Sequence, residues 1–187
     1  INYLVNKRKL NLELIYSLIE GGLIYQERHS NNVVFVGFDL MCEPRFACKR
    51  GIDSNFKQDC LGSNKAYSFN LSNENNTELH VFESAIDLLS FITLEMMKNN
   101  EYKKSNYLSL SGVGDSESFL PISLCSYLDR YPHIKKIVLH LDNDNAGKSS
   151  TDNIIHCCDG IYETEDQHPL NYKDVNEELI NLMKENE

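Results

Sequence analysis

The chain has 187 residues, 41% of them hydrophobic and 25% charged, the make-up of a soluble globular protein with one medium domain or two small ones. No apolar run reaches membrane-spanning length and no signal-peptide pattern is present, so no membrane partner is expected and a cytoplasmic location is. The formal net charge of −10 argues against a simple basic DNA-binding module. The charge is uneven, however. Residues 1–77 carry 9 basic and 8 acidic side chains, whereas residues 78–187 carry 9 and 20. The first part can touch phosphates directly; the second needs cations to approach them. The first residue is Ile1 and not Met, which predicts a piece of a longer protein.

In chain order, Lys7-Arg8-Lys9 precedes a helix over Leu10–Glu20, with Asn11 as N-cap and Gly21-Gly22 as the stop. The triplet reads as a solvated face. Leu23–Gln26 is short and extended. Val33–Phe38 is a β-strand, and Arg45–Lys49 returns from it as a hairpin. Ala66–Leu71 alternates and predicts a further strand. The expectation for residues 1–77 is therefore a small helical element followed by an antiparallel β-meander. Within it, residues 44–66 are locally basic, with Arg45, Lys49, Arg50, Lys57 and Lys65 against Asp53 and Asp59. The turn Gly62-Ser63-Asn64-Lys65 can present N–H groups and an amine to a phosphate, or can be an ordinary turn.

The polar stretch Ser72–Thr77 predicts a boundary, after which strands and helices alternate. Leu79–Phe82 is a strand ending in Glu83, and Ser84–Asn99 a helix. Tyr107–Leu110 is a strand ending in Ser111-Gly112-Val113-Gly114, and Ser116–Tyr131 a helix, irregular near Pro121. Ile137–Leu141 is a strand ending in Asp142-Asn143-Asp144, followed by a helix over Asn145–Cys158. Gly160–Glu163 reads as a fourth strand, and Asp174–Lys184 as a closing helix. This alternation predicts an α/β fold, a parallel sheet with helices on both faces. His140, inside its strand, reads as a packed core residue. The six cysteines form no CxxC pair, and Cys42, Cys48 and Cys60 with His29 match no usual zinc spacing, so reduced thiols are the plain reading.

Strands of a parallel sheet share their carboxyl edge, and ligands bind there. Glu83, Gly112 and Asp142/Asp144 therefore converge, with Asp87 one helical turn after Glu83. Several carboxylates on one edge repel each other and are costly to bury unless a cation pairs them, and oxygen ligands suit Mg²⁺. Two other motifs fail. Gly147-Lys148-Ser149 lacks the P-loop glycine, because position 142 is Asp. Read as an EF-hand loop, the stretch from Asp142 has Ala146 and Asn153 where ligands belong.

The combination resembles the Toprim fold of bacterial primases, type IA and type II topoisomerases and some nucleases. The residues carrying the resemblance are Val81–Asp87, Leu110-Ser111-Gly112, Leu141–Gly147 and the late Lys173–Glu177. The E-x-x-x-D and D-x-D-x-A-G forms lean toward the primase branch, over about residues 78–180. Asn32–Phe35, Arg50-Gly51 and Gly62–Lys65 are similar to an uncharacterised domain that precedes Toprim modules in proteins of plasmids and conjugative elements. The domains expected are thus 1–77, an α+β subdomain able to contact nucleic acid, and 78–187, a Toprim catalytic domain.

The resemblance implies Mg²⁺-dependent nucleotidyl or phosphoryl transfer on nucleic acid, with Mn²⁺ able to substitute. Glu83, Asp142 and Asp144 would be the catalytic residues. Glu83, Asp87, Asp142, Asp144 and Asp174 would be the metal ligands, although Asp87 also reads as a first-turn helix acid and Asp174 as an N-cap. Arg50, Lys65, Gly112, Gly147, Lys148 and Lys173 would contact phosphates. The partners implied are DNA, in single-stranded form, nucleotides and the other domains of a longer parent. A primase-like catalytic piece, a Toprim nuclease and a non-catalytic nucleic-acid-binding module all remain open at this point. No topoisomerase nucleophile can be picked among the ten tyrosines.

Overall fold

The computed structural model describes residues 1–113 and 119–185. A short π-helical turn, Tyr3–Lys7, leads into helix α1, Leu12–Glu20. The Asn11 side chain caps α1 by accepting from the Leu14 N–H at 3.0 Å. Four antiparallel strands follow: β1 Ile24–Gln26, β2 Val33–Phe38, β3 Pro44–Arg50 and β4 Lys57–Asp59, paired in that order. The meander is thus wider than the sequence predicts. β4 is three polar residues, paired with β3 through Cys48 with Asp59, Lys49 with Gln58 and Arg50 with Lys57.

The expected strand over Ala66–Leu71 is mostly absent. Lys65–Tyr67 form a 3-10 turn, with Asn64 capping it through the Ala66 N–H. Only Asn70–Leu71 is extended, as β5, and it leaves the meander to pair antiparallel with the second sheet. The alternation of Tyr67, Phe69 and Leu71 reflects burial of Phe69 in the core, not a long ladder.

The second sheet contains β6 Glu78–Phe82, β7 Asn106–Ser109, β8 Lys136–His140 and β9 Glu163–Asp166, in the order β5-β7-β6-β8-β9. All neighbours except β5 are parallel. β9 begins at Glu163, where the sequence placed a strand over 160–163. Gly160, at φ +72°, and Ile161 belong instead to the turn that leaves the preceding helix. Helices α2 Ala85–Met97, α3 Ile122–Arg130, α4 Asn145–Cys158 and α5 Val175–Glu185 complete the fold. Helix α3 starts after Pro121, which cannot supply a helical N–H. Ser116 and Gly114 lie outside the described residues.

Side chains alternate along the central strands β6 and β7, so these strands feed two cores. On one face Phe82 and Tyr107 pack with Ile86 and Leu89 of α2, Leu14 of α1, Phe35 of β2 and Leu179 of α5. On the other, Val81, Leu108 and Leu139 pack with Tyr127 of α3 and Ile154 of α4. The first core draws on residues from both ends of the chain, so the meander and the parallel sheet share it. His140 is packed as expected, 4% exposed, stacked 4.8 Å from Phe82 and hydrogen-bonded to His80 Nδ1 at 2.9 Å. No helix among the described residues is long and apolar enough to cross a membrane.

Candidate active site

The carboxyl edge of β6, β7 and β8 opens into a cleft of about 370 Å³. Glu83, Asp87, Asp142 and Asp174, with Lys173, line it from the side of the parallel sheet; Lys49, Arg50, Lys57 and Lys65, with Asp59, line it from the other. Sequence-distant segments meet here because β3 and β4 face the strand ends of the second sheet. The cleft therefore has an acidic wall and a basic wall, matching the charge asymmetry between the two parts of the chain.

Glu83 follows β6 directly. Burial, and then the charge of Asp142, hold its carboxyl above the usual range, while Lys57 Nζ approaches its Oε1 at 4.0 Å. Asp87 sits in the first turn of α2, 7% exposed. It accepts from Ser84 Oγ at 2.5 Å and from the Asn176 N–H at 3.3 Å. Burial and then the neighbouring Asp174 raise it to about 7. Asp87 is thus far more than a solvated first-turn acid.

Asp142 is 8% exposed and its carboxyl is also raised by burial, an effect opposed by Lys173 Nζ at 3.0 Å from Oδ2. Asp144 behaves differently. It caps α4, its Oδ1 accepting from the N–H groups of Ala146 at 3.1 Å and Gly147 at 3.0 Å, and the Gly147 bond leads in holding it below the usual range. Its Oδ2 lies 3.5 Å from Lys173 Nζ. Asp174 lines the cleft and caps α5, accepting from the Glu177 N–H at 2.7 Å.

The loop after β7 is shaped by two left-handed residues, Ser111 at φ +55° and Gly112 at φ +96°. A glycine suits the second. The Gly112 N–H donates to the Glu83 carbonyl at 3.0 Å, and Lys65 Nζ donates to the Ser111 carbonyl at 3.1 Å. Ser68 and Ser111 hydroxyls meet at 2.9 Å. Lys65, Gly112 and Lys173 thus stand at the cleft, as does Arg50, whose Nε is buried without a hydrogen-bond partner. Gly147 lies behind the edge, packed on the Asp142 backbone, and Lys148 is exposed and does not line the cleft.

Sequence reasoning missed the cleft positions of Lys49 and Lys57, visible only as members of a basic segment, and missed the tie made by Asn176, visible only as a member of the Lys173–Glu177 segment. The Asn176 amide donates to the Arg8 carbonyl and Ser90 Oγ, both at 2.9 Å, and accepts from Arg8 Nη1 at 3.0 Å. It ties the N-terminal turn, α2 and α5 together beneath Asp87. A lone polar residue in an amphipathic helix gives no such signal.

Among the described residues, no three His, Cys, Asp or Glu side chains already stand as a closed metal cage. The donor chemistry nevertheless fits a hard divalent cation. Every group on the acidic wall offers carboxylate oxygens, and burial raises the carboxyls of Glu83 and Asp142 even with Lys57 and Lys173 beside them. Mg²⁺ characteristically takes one or two carboxylates and completes its shell with water and phosphate oxygens.

Comparison with known proteins matches this arrangement. Residues 80–179 fit the family model described as Toprim-like. The chain belongs to the Toprim-like family. Residues 2–75 fit a second model, described as a protein of unknown function (DUF3991), so the two resemblances read in the sequence are both borne out, in the expected order. An uncharacterized Bacillus anthracis protein, pXO2-78, is 30% identical over 166 residues, 82% of this chain and 46% of its own length. The chain therefore spans about half of that relative.

Among solved structures, the primase fragment of the bacteriophage T7 primase-helicase aligns with a TM-score of 0.69 at 16% identity, covering 96% of this chain and 69% of that one. A DnaG primase catalytic domain bound to ssDNA aligns with a TM-score of 0.53 at 14% identity, covering 99% and 62%. At such identities these neighbours establish the fold. The Toprim-like α/β architecture, with its preceding antiparallel sheet, is that of DNA primase catalytic cores.

Proposed function

We propose that the cleft carries out Mg²⁺-dependent nucleotidyl transfer on a nucleic-acid template, as the primase-like catalytic piece of a longer replication or transfer protein. The observation that carries this reading is the pairing of an acidic wall, Glu83, Asp87, Asp142 and Asp174, with a basic wall, Arg50, Lys57 and Lys65, across one cleft. A purely binding module needs the basic wall alone. Transfer needs both, because the acidic wall binds nothing negative without a metal. Bound Mg²⁺ would neutralise phosphate oxygens and lower the pKa of the attacking hydroxyl. In this reading Asp142 and Asp144 would hold it, with Asp87 and Asp174 as additional ligands.

In this reading Glu83 would receive the proton of a 3′-hydroxyl that attacks the α-phosphorus of a nucleotide, with pyrophosphate leaving. Lys57, Lys65 and the orphaned Arg50 Nε supply donors for the phosphates. Residues 1–77 would thus contribute the phosphate-binding wall and residues 78–187 the chemistry, with single-stranded DNA and nucleotides as partners.

The test incubates the protein with Mg²⁺, single-stranded DNA and labelled nucleotides. Labelled products longer than one nucleotide, lost in Glu83→Gln, support the reading. Shortened DNA without incorporation overturns it in favour of a Toprim nuclease. Neither product from the full-length parent overturns it in favour of a binding module.

A further inference from the structure

The acidic edge already has a cation of its own. Lys173 Nζ lies 3.0 Å from Asp142 Oδ2 and 3.5 Å from Asp144 Oδ2. The second contact is informative, because Asp144 Oδ1 is committed to the N–H groups of α4. Oδ2 is the oxygen left to bind anything else, and the ammonium stands at it.

The backbone that carries this lysine is pinned. The Lys173 carbonyl accepts from the Asn143 N–H at 2.7 Å, and its own N–H donates to Glu177 Oε2 at 2.7 Å. The Asn143 amide reaches the Leu170 and Tyr172 carbonyls at 3.3 and 3.4 Å. The loop between the two aspartates and the segment before α5 therefore move as one. The side chain beyond that anchor is different. It is 58% exposed, against 10% for Asp142, and it borders the cleft. A flexible four-carbon stem can swing its ammonium several ångströms without disturbing the anchor.

We propose that Lys173 is a displaceable resident counter-ion of Asp142 and Asp144: a divalent cation takes its place, and the released ammonium turns to a substrate phosphate in the cleft. A divalent ion on Asp142 Oδ2 and Asp144 Oδ2 claims the oxygens that Lys173 now contacts, and two cations repel each other at such range. The lysine therefore makes the empty edge tolerable and sets the metal affinity, and its departure couples metal arrival to phosphate capture. This inference rests on the metal reading above.

The test is calorimetric titration of Mn²⁺ into the wild-type protein, K173M, K173R and K135M. Lys135 precedes β8 at its far end, more than the roughly 17 Å length of a five-residue strand away, and controls for loss of a positive charge in general. K173M is expected to bind Mn²⁺ about tenfold tighter, since an opposite charge in contact with a carboxylate commonly shifts its cation affinity by that factor or more. K173R is expected to stay near the wild type and K135M to be unchanged. In the incorporation assay at saturating Mn²⁺, K173M is expected to fall at least tenfold despite its tighter metal, as one lost charge-assisted phosphate contact implies. Equal or weaker Mn²⁺ binding by K173M, or an equal gain in K135M, overturns the proposal while leaving the metal site standing. Absence of Mn²⁺ binding in every variant overturns both.

Discussion

A Cβ on Gly147 would stand 1.9 Å from the carbonyl oxygen of Asp142, with the Asp142 carbonyl carbon at 2.8 Å. The first turn of α4 is therefore pressed directly onto the strand end that carries the acidic pair. This close approach places Asp144 as the cap of α4 while Asp142 stays buried. It also gives Gly147 a structural explanation. Gly147→Ala must push the helix away from the backbone of β8. A loss of about 2 kcal/mol is expected, as for overpacking against groups that cannot yield, and urea unfolding measures it. A variant as stable as the wild type would show that the two elements are not packed as described.

The buried His80–His140 pair sets a pH dependence. Burial, and then His80, hold His140 down to about 3, whereas an unfolded histidine titrates near 6.5. Between those values the unfolded chain binds a proton that the folded one refuses. Stability associated with His140 is thus fully present above about pH 6.5 and is lost as pH falls toward its folded value. The slope is at most about 1.4 kcal/mol per pH unit. His140→Phe is expected to cost stability at pH 7, because His80 Nδ1 loses its partner, but to show a shallower decline between pH 6.5 and pH 4. Urea midpoints of the two proteins across that range check this, and parallel curves would contradict it.

The carboxyl-edge residues were legible because a parallel α/β alternation fixes where strand ends go. Glu83, Gly112 and Asp142 could be brought together from three short apolar runs alone. The basic wall was not legible in this way. Lys57 reaches Glu83 only because three polar residues, Lys57-Gln58-Asp59, pair with β3, and such a strand has neither alternation nor β-branched residues to announce it. Tyr67 and Phe69 misled for the opposite reason. Their alternation reports a buried Phe69 and a Tyr67 ring 4.7 Å from the Arg130 guanidinium, with hardly any ladder beneath. Asn176 and Arg8 escaped because a long-range polar tie has no local pattern.

Lys57 is 71% exposed and its ion pair with Glu83 is long, at 4.0 Å, so its place in the cleft is not explained by stability. Lys57→Ala is expected to change the folding free energy by under about 0.5 kcal/mol. It is also expected to weaken binding of single-stranded DNA and to lower the slope of log affinity against log salt by about 0.7, the share of one phosphate contact on a single strand. Fluorescence anisotropy over a salt series measures it. An unchanged slope would remove Lys57 from the nucleic-acid wall.

The central claim is that Glu83, Asp142 and Asp144 form a divalent-metal edge. Anomalous diffraction from crystals soaked in Mn²⁺ tests it most directly, with wild type and Asp142→Asn side by side. The account predicts an anomalous peak within ligand distance of Asp142 Oδ2 in the wild type, and its loss in Asp142→Asn. A wild-type crystal that binds Mn²⁺ elsewhere and leaves this edge to Lys173, or an undiminished peak in Asp142→Asn, would contradict it.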